Sequence, residues 1–252
     1  MQKSELTRYR EFLKDTLRLT LNFHLTDQNQ GVAPPPLQKP MTEEQTPIPL
    51  PDSDLCELSS ISLRDAIGQR RSHRRFKPQN LSLQELSFLL WATQGCSAVL
   101  APGTALRTVP SAGCRHPFET YLAVLAVEDL QTGIYRYLPL KHELVLEQQV
   151  AADSLKQALA QGTLNQNFIA TAPVTFIWSV IPARSEWRYH IAAHRVILMD
   201  AGHLCQNLYL AVAGVDCGTC AVAAYHQKKM DQLLALDGEE EFTIYLAPVG
   251  KI

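Results

Sequence analysis

Residues 196–213 read VILMDAGHLCQNLYLAVA, helical in composition and apolar on nearly every side. A helix of that kind has little surface to give to water, so the fold must surround it. In a chain of 252 residues the domain covers one side, and an interface between two chains is the natural place to bury the other. A homodimer is the expected assembly. The composition permits such a core, since 46% of the residues are hydrophobic. That suffices for one well-filled domain with a small extension.

A formal charge of -2 argues against a nucleic-acid or membrane-surface protein, because those partners call for a basic excess. The longest apolar runs, such as 170–180, are interrupted by Thr, Pro or Ser and read as too short to span a bilayer. Residues 1–23 carry charges throughout and lack the uninterrupted apolar core of a secretory signal. The cysteines at 56, 96, 114, 205, 217 and 220 are expected to be reduced, which places the chain in the cytoplasm.

Leu6, Tyr9, Leu13 and Leu17 recur at helical spacing and predict a helix over 5–22, within an N-terminal segment 1–27. Residues 28–54 read as a linker, because Pro34, Pro35, Pro36, Pro40, Pro47, Pro49 and Pro51 preclude a continuous helix. It is expected to lie on the domain surface or to wrap a partner subunit. The main domain then covers 55–252. Ser62 with Asp65, and Ser82 with Glu85, have capping-box spacing, and Leu81 and Leu86 sit where a hydrophobic staple would close the second box. These predict helices from 62 to about 70 and from 82 to a stop at Gly95. A further helix is expected at 154–159. Segments 121–127, 174–181 and 242–249 are rich in β-branched or aromatic residues and read as strands, while 133–137 and 143–146 suggest a peripheral hairpin.

Three segments carry chemistry. Arg70, Arg71, Arg74, Arg75 and Lys77, with Ser72 among them, concentrate positive charge in a near-neutral chain. The planar donor fork of arginine suits phosphate oxygens, although a solvated basic helix end would look the same. The second segment, 107–117, places Ser111, Ala112, Gly113 and Cys114 between Pro110 and Pro117, a loop whose backbone can approach a flat ligand closely. The third, 214–225, contains Cys217 and Cys220, which invite a zinc or thiol-redox reading, but no second ligand pair accompanies them. His190 and His194 have the spacing of helical metal ligands without the intervening Glu of a metalloprotease. These two and His203 read as structural histidines. No phosphate-binding P-loop or GxGxxG occurs.

In order and register, these segments resemble the nitroreductase superfamily, whose RRSxRxF opening is matched by Arg70–Phe76. The stretches LSLQELSFLLWATQG, RTVPSAGCRHPFETYL, GIYRYLPLKHEL, DAGHLCQNLYLA and LDGEEEFTIYLAPVG are similar to its branch of SagB-type dehydrogenases, flavoenzymes of azoline oxidation. The resemblance implies an α+β fold with a central, mainly antiparallel sheet flanked by helices. It implies two interlocked chains with FMN bound non-covalently at their interface. On it, Arg70, Arg71, Ser72 and Arg74 hold the phosphate and ribityl chain, with Lys251 as a further phosphate contact. Pro110, Ser111, Ala112 and Cys114 meet the flavin from the other subunit, and Ala221, Val222 and Ala223 line the isoalloxazine edge. The implied reaction is hydride transfer through flavin N5 in a ping-pong cycle, on a small conjugated or oxidisable molecule, with NADH or NADPH as candidate donors.

Two positions depart from the branch. Where it has a Lys-Tyr pair implicated in proton abstraction, this chain has Arg188 and Tyr189. Tyr189 can still transfer a proton, whereas Arg188 stays protonated and is a poor base. Ala223 stands where the branch usually has Gly. Competing readings are an azoline (thiazoline or oxazoline) dehydrogenase acting on a modified peptide, a catalytically degenerate scaffold subunit, and a disulfide-exchange protein built on Cys217 and Cys220.

Overall fold

The computed structural model describes residues 3–252. Its helices are α1 (Lys3–Phe12), α2 (Leu63–Gln69), α3 (Leu83–Gln94), α4 (Ala152–Gly162), α5 (Ala183–Tyr189), α6 (Ala193–Gly214) and α7 (Gln227–Leu233). Its strands are β1 (Pro47–Pro49), β2 (Cys96–Ala101), β3 (Thr104–Arg107), β4 (Phe118–Val124), β5 (Gly133–Leu138), β6 (Glu143–Gln149), β7 (Val174–Val180), β8 (Cys217–Thr219) and β9 (Phe242–Lys251). Seven strands form one sheet in the order β1-β6-β5-β4-β7-β9-β8, with every neighbouring pair antiparallel. β2 and β3 make a separate hairpin.

Helices cover both faces, so β4, β5 and β7 are buried at every residue. Alternation sorts the strand side chains. Phe176 and Trp178 of β7 pack with Leu204, Leu208 and Val212 of α6 and with Leu89 and Leu90 of α3. Between them, Ile177 joins Leu155, Leu159 and Met230 of α4 and α7 on the opposite face. The α3 capping box forms in both directions, and Leu81 and Leu86 are fully buried as the staple requires. At α2 the Ser62 hydroxyl accepts from the Asp65 N–H at 3.1 Å but donates to the Asp65 carboxylate at 2.6 Å instead of closing the reciprocal backbone bond.

The proline-rich segment is strapped to its own sheet. Pro47–Pro49 forms edge strand β1, a place where missing N–H groups are tolerated. Upstream, the Arg136 guanidinium donates to the carbonyls of Lys39 and Pro40 at 2.7 and 3.0 Å, and Arg107 donates to that of Leu37 at 2.8 Å. Lys39 Nζ reaches Glu241 at 2.7 Å.

Three features differ from the sequence reading. α1 stops at Phe12 and only a short 3-10 turn, Thr16–Leu19, follows. Leu6, Tyr9, Leu13 and Leu17 stay exposed, so no packing sustains a longer helix. The β5–β6 hairpin is not peripheral, because β5 lies between β4 and β6 inside the main sheet. The α5–α6 unit, Ala183–Gly214, is long and apolar enough by length and composition to cross a membrane, which the interrupted runs did not suggest. It packs along the sheet and is broken at His190, whose φ is +49°. On a fourth point the two agree: one chain covers only part of α6. Leu198 and Met199 remain 50% and 46% exposed, and His203 shares that open face.

Candidate cofactor-binding site

The basic run emerges from the end of α2 and lies along β8. Ser72 bridges Thr219, and the His73 N–H donates to the Thr219 carbonyl at 2.9 Å. Close approach here depends on glycine, since a Cβ on Gly218 would fall 2.7 Å from the His73 Cβ. One side chain ties this run to the segment after β8. Tyr209 of α6 holds its hydroxyl 2.9 Å from Ser72 Oγ and accepts the Ala221 N–H at 2.9 Å. The Arg70 guanidinium lies 5.1 Å from the Tyr209 ring centre. Beside it opens a cleft of about 480 Å³, lined in part by Arg70, Arg71, His73, Lys77 and Tyr209.

The other basic residues are placed differently. Arg71 donates to the carbonyls of Gly68 and Arg70 at 3.2 and 2.8 Å, satisfying the helix end. Arg74 turns to the Phe168 ring, 5.9 Å from its centre. Lys251 is held by Glu85 at 2.5 Å and the Val215 carbonyl at 2.7 Å. Burial alone would lower its pKa, but the Glu85 bond and Cys217 outweigh that and raise it. Ala221 meets Tyr209, Val222 is buried in a bridge to Leu246, and Ala223 is exposed.

The second group gathers on the 110–116 loop. Asp200 of α6 accepts from the Ser111 hydroxyl at 2.6 Å and from the Ala112 N–H at 3.0 Å, while Ser111 Oγ accepts the His116 N–H at 2.9 Å. Burial raises the Asp200 pKa, and the Ser111 and Ala112 bonds oppose the shift. Pro110 is exposed beside this anchor, and Gly113 and Cys114 adopt φ of +61° and +55°. A Cβ on Gly113 would lie 2.6 Å from both Arg188 Cδ and the Tyr189 hydroxyl, so the Arg188–Tyr189 pair packs directly on the loop. Arg115 is buried behind it, 4.8 Å from the Trp187 ring centre.

The two groups do not meet within one chain. Asp200 and Tyr209 are nine positions apart (209 − 200), which on an ideal helix is about 13 Å along the axis and about half a turn around it. Asp200 and Tyr209 organise the two groups and were not singled out from the sequence. A carboxylate inside an otherwise apolar helix was the available signal for the first; nothing local marks the second.

Cys217 and Cys220 are buried free thiols, and burial raises Cys217 to about 12, far from a reactive thiolate. His194 pairs with Glu186 at 2.7 Å, and no cluster able to hold a metal exists among the described residues.

The family model described as Nitroreductase family matches residues 67–251. A nitroreductase by name from Methanocaldococcus jannaschii is 32% identical over 197 residues, covering 78% of this chain and 94% of that protein. The trifolitoxin operon protein TfxC of Rhizobium leguminosarum bv. trifolii is 27% identical over 207 residues, 77% of this chain and 56% of that protein. A chain of the E. coli microcin synthetase McbBCD complex, solved with truncated pro-MccB17 bound, shares the fold with a TM-score of 0.60 at 20% identity, over 100% of this chain and 98% of that one.

Proposed function

The chain belongs to the nitroreductase family, and on that premise we propose that it is an FMN-dependent oxidoreductase working as a homodimer in the cytoplasm. The observation that carries the cofactor assignment is the cleft beside Tyr209. There Arg70, Arg71, His73 and Lys77 outnumber the single acid of the lining, Asp216; Arg70 has no carboxylate partner among the described residues, and the Ser72 hydroxyl joins the cleft through Tyr209. A guanidinium and a hydroxyl at the rim of a cleft suit a phosphomonoester and a ribityl chain. Arg71 and Arg74 flank that point and add positive potential; Lys251 lies behind it on Glu85. Ala221, Val222 and Ala223 form the neighbouring edge, positioned through the Tyr209 bond.

The loop Pro110–Ser111–Ala112–Gly113–Cys114 then serves the flavin of the partner subunit. It sits on the opposite side of α6 from the Arg70 cleft, and Leu198 and Met199 offer the open face on which a second α6 can pack. FMN, when bound, supplies hydride transfer at N5, used in turn by an electron donor such as NADH or NADPH and by the acceptor. The chain's own contribution is orientation. Asp200 holds the loop rigid, Gly113 permits close approach, and Tyr189 presents a hydroxyl beside it that can hold or move a proton.

The favoured substrate is a small conjugated molecule. A second reading, azoline dehydrogenation on a modified peptide, is supported by the likeness to a chain of the peptide-bound McbBCD complex, while Arg188 in place of a lysine base weighs against it. The test is the visible spectrum of the purified protein before and after NADH or NADPH under anaerobic conditions. The flavin band is expected and should bleach with one donor. A colourless protein that takes up no added FMN contradicts the proposal.

A further inference from the structure

Arg188 and Arg115 form a positive corner with no counter-ion among the described residues. Arg115 spends its donors on neutral oxygens: the Gly103 carbonyl, Thr104 Oγ1 at 2.8 Å and the Gly113 carbonyl at 3.1 Å. The ionisable neighbours that act on it are Arg188, Cys114 and Tyr189, none of them a carboxylate. Arg188 is half-buried, and its one hydrogen bond among the described residues runs to Gln28 Oε1 at 3.2 Å. The nearest acid in sequence, Glu186, is engaged by His194 at 2.7 Å. The Tyr189 hydroxyl, facing Gly113, has no hydrogen-bond partner among the described residues.

A fold rarely leaves adjacent guanidiniums without an acid, because like charges repel and burial removes water from both. The missing element has negative charge and at least two acceptor oxygens. One oxygen can take the phenolic O–H and the other the free edge of the guanidinium, which a planar carboxylate does well. We propose that Arg188 and Tyr189 form a receptor for the carboxylate of the molecule that this enzyme oxidises or reduces. This rests on the reading above that the 110–114 loop faces the reacting ring. It assigns Arg188 a specificity role, anchoring an acidic substrate, in place of proton abstraction.

The test is direct binding of benzoate and of benzamide, its uncharged isostere, to the purified full-length protein by calorimetry and tryptophan fluorescence. Trp187 stacks on Arg115, so its emission should report occupancy of the corner. Benzoate should bind at least about tenfold more tightly than benzamide, in line with one charge-assisted hydrogen-bonded contact, and more weakly as salt is raised. Arg188→Gln should abolish the preference, and Arg188→Lys, which keeps charge without the fork, should keep only part of it. Equal binding of the two probes, or an unchanged preference in a folded Arg188→Gln variant, overturns the proposal. A clear preference for phenyl phosphate over benzoate overturns the carboxylate assignment. A colourless protein that still selects benzoate through Arg188 removes the flavin reading and keeps the receptor. A yellow, donor-reducible protein without that selectivity does the reverse.

Discussion

Arginines in two regions of this molecule have opposite fates. Under the proline-rich strap, Arg184 meets Glu119, Arg136 meets Glu147 at 2.5 Å, and Lys39 closes on Glu241 at 2.7 Å. Glu119 also accepts the Lys39 N–H at 2.7 Å, and Glu241 accepts from Ser179 and Tyr121 at 2.6 and 3.0 Å. Along α6, in contrast, Arg70, Arg115 and Arg188 reach aromatic rings and carbonyls but no acid among the described residues. Burial is tolerable for a charge that is paired. The first set therefore reads as the clasp that holds the strap, joined by Arg107 through the Leu37 carbonyl and Gln94 without an acid, and the second as charge kept for ligands.

The largest expected effect comes from breaking the clasp. Glu119→Ala would strand Arg184 and weaken the hold on Arg136 and Lys39, and should cost about 3–5 kcal/mol in a denaturant titration. A loss under about 1 kcal/mol would erase the distinction between the two regions. Next, Met199→Glu places a charge on the open face of α6. It should convert a dimer into the 28.2 kDa monomer, seen by sedimentation, and lose FMN with it, at a cost of about 2 kcal/mol or more in association. A dimer unaffected by this change would move the interface elsewhere.

At neutral pH the next change costs little and its effect emerges only as acid is added. Burial, followed by the nearby Arg107 charge, lowers His116 from 6.5 to about 3. The folded chain keeps this ring neutral while the unfolded chain binds a proton, so stability should rise with pH across that window and fall as acid is added. The slope from this group approaches about 1.4 kcal/mol per pH unit. His116→Gln should flatten the acid limb of a stability–pH profile, and an unchanged limb would show that the ring is not held neutral. Smallest of all, Tyr209→Phe removes the hydroxyl between Ser72 and Ala221 and should cost about 1 kcal/mol of stability while weakening FMN binding.

Local patterns were legible in the sequence where they are self-contained. The α3 capping box, the β4, β7 and β9 strands and the α4 helix follow from spacing that neighbours enforce. The order of motifs also carried the family and its fold. What spacing could not show is set by distant pairing. β1 and β8 are three residues each and exist because β6 and β9 receive them. The strap clasp joins Lys39 to Glu241 across most of the chain. Asp200 acquires its role only when the Ser111 loop is laid against α6. The basic run illustrates both limits. Its charge was plain, but the division between Arg71 on a helix end, Arg74 on Phe168 and Arg70 at the cleft depends on tertiary structure.

The central claim, that the Arg70 guanidinium beside Tyr209 holds the phosphate end of FMN, is tested most directly by equilibrium dialysis of FMN against the wild-type protein and Arg70→Ala. The account predicts at least about tenfold weaker binding in the variant, the loss of one charge-assisted contact, with the dimer and the denaturation midpoint retained. Equal FMN affinity in the two proteins would contradict it.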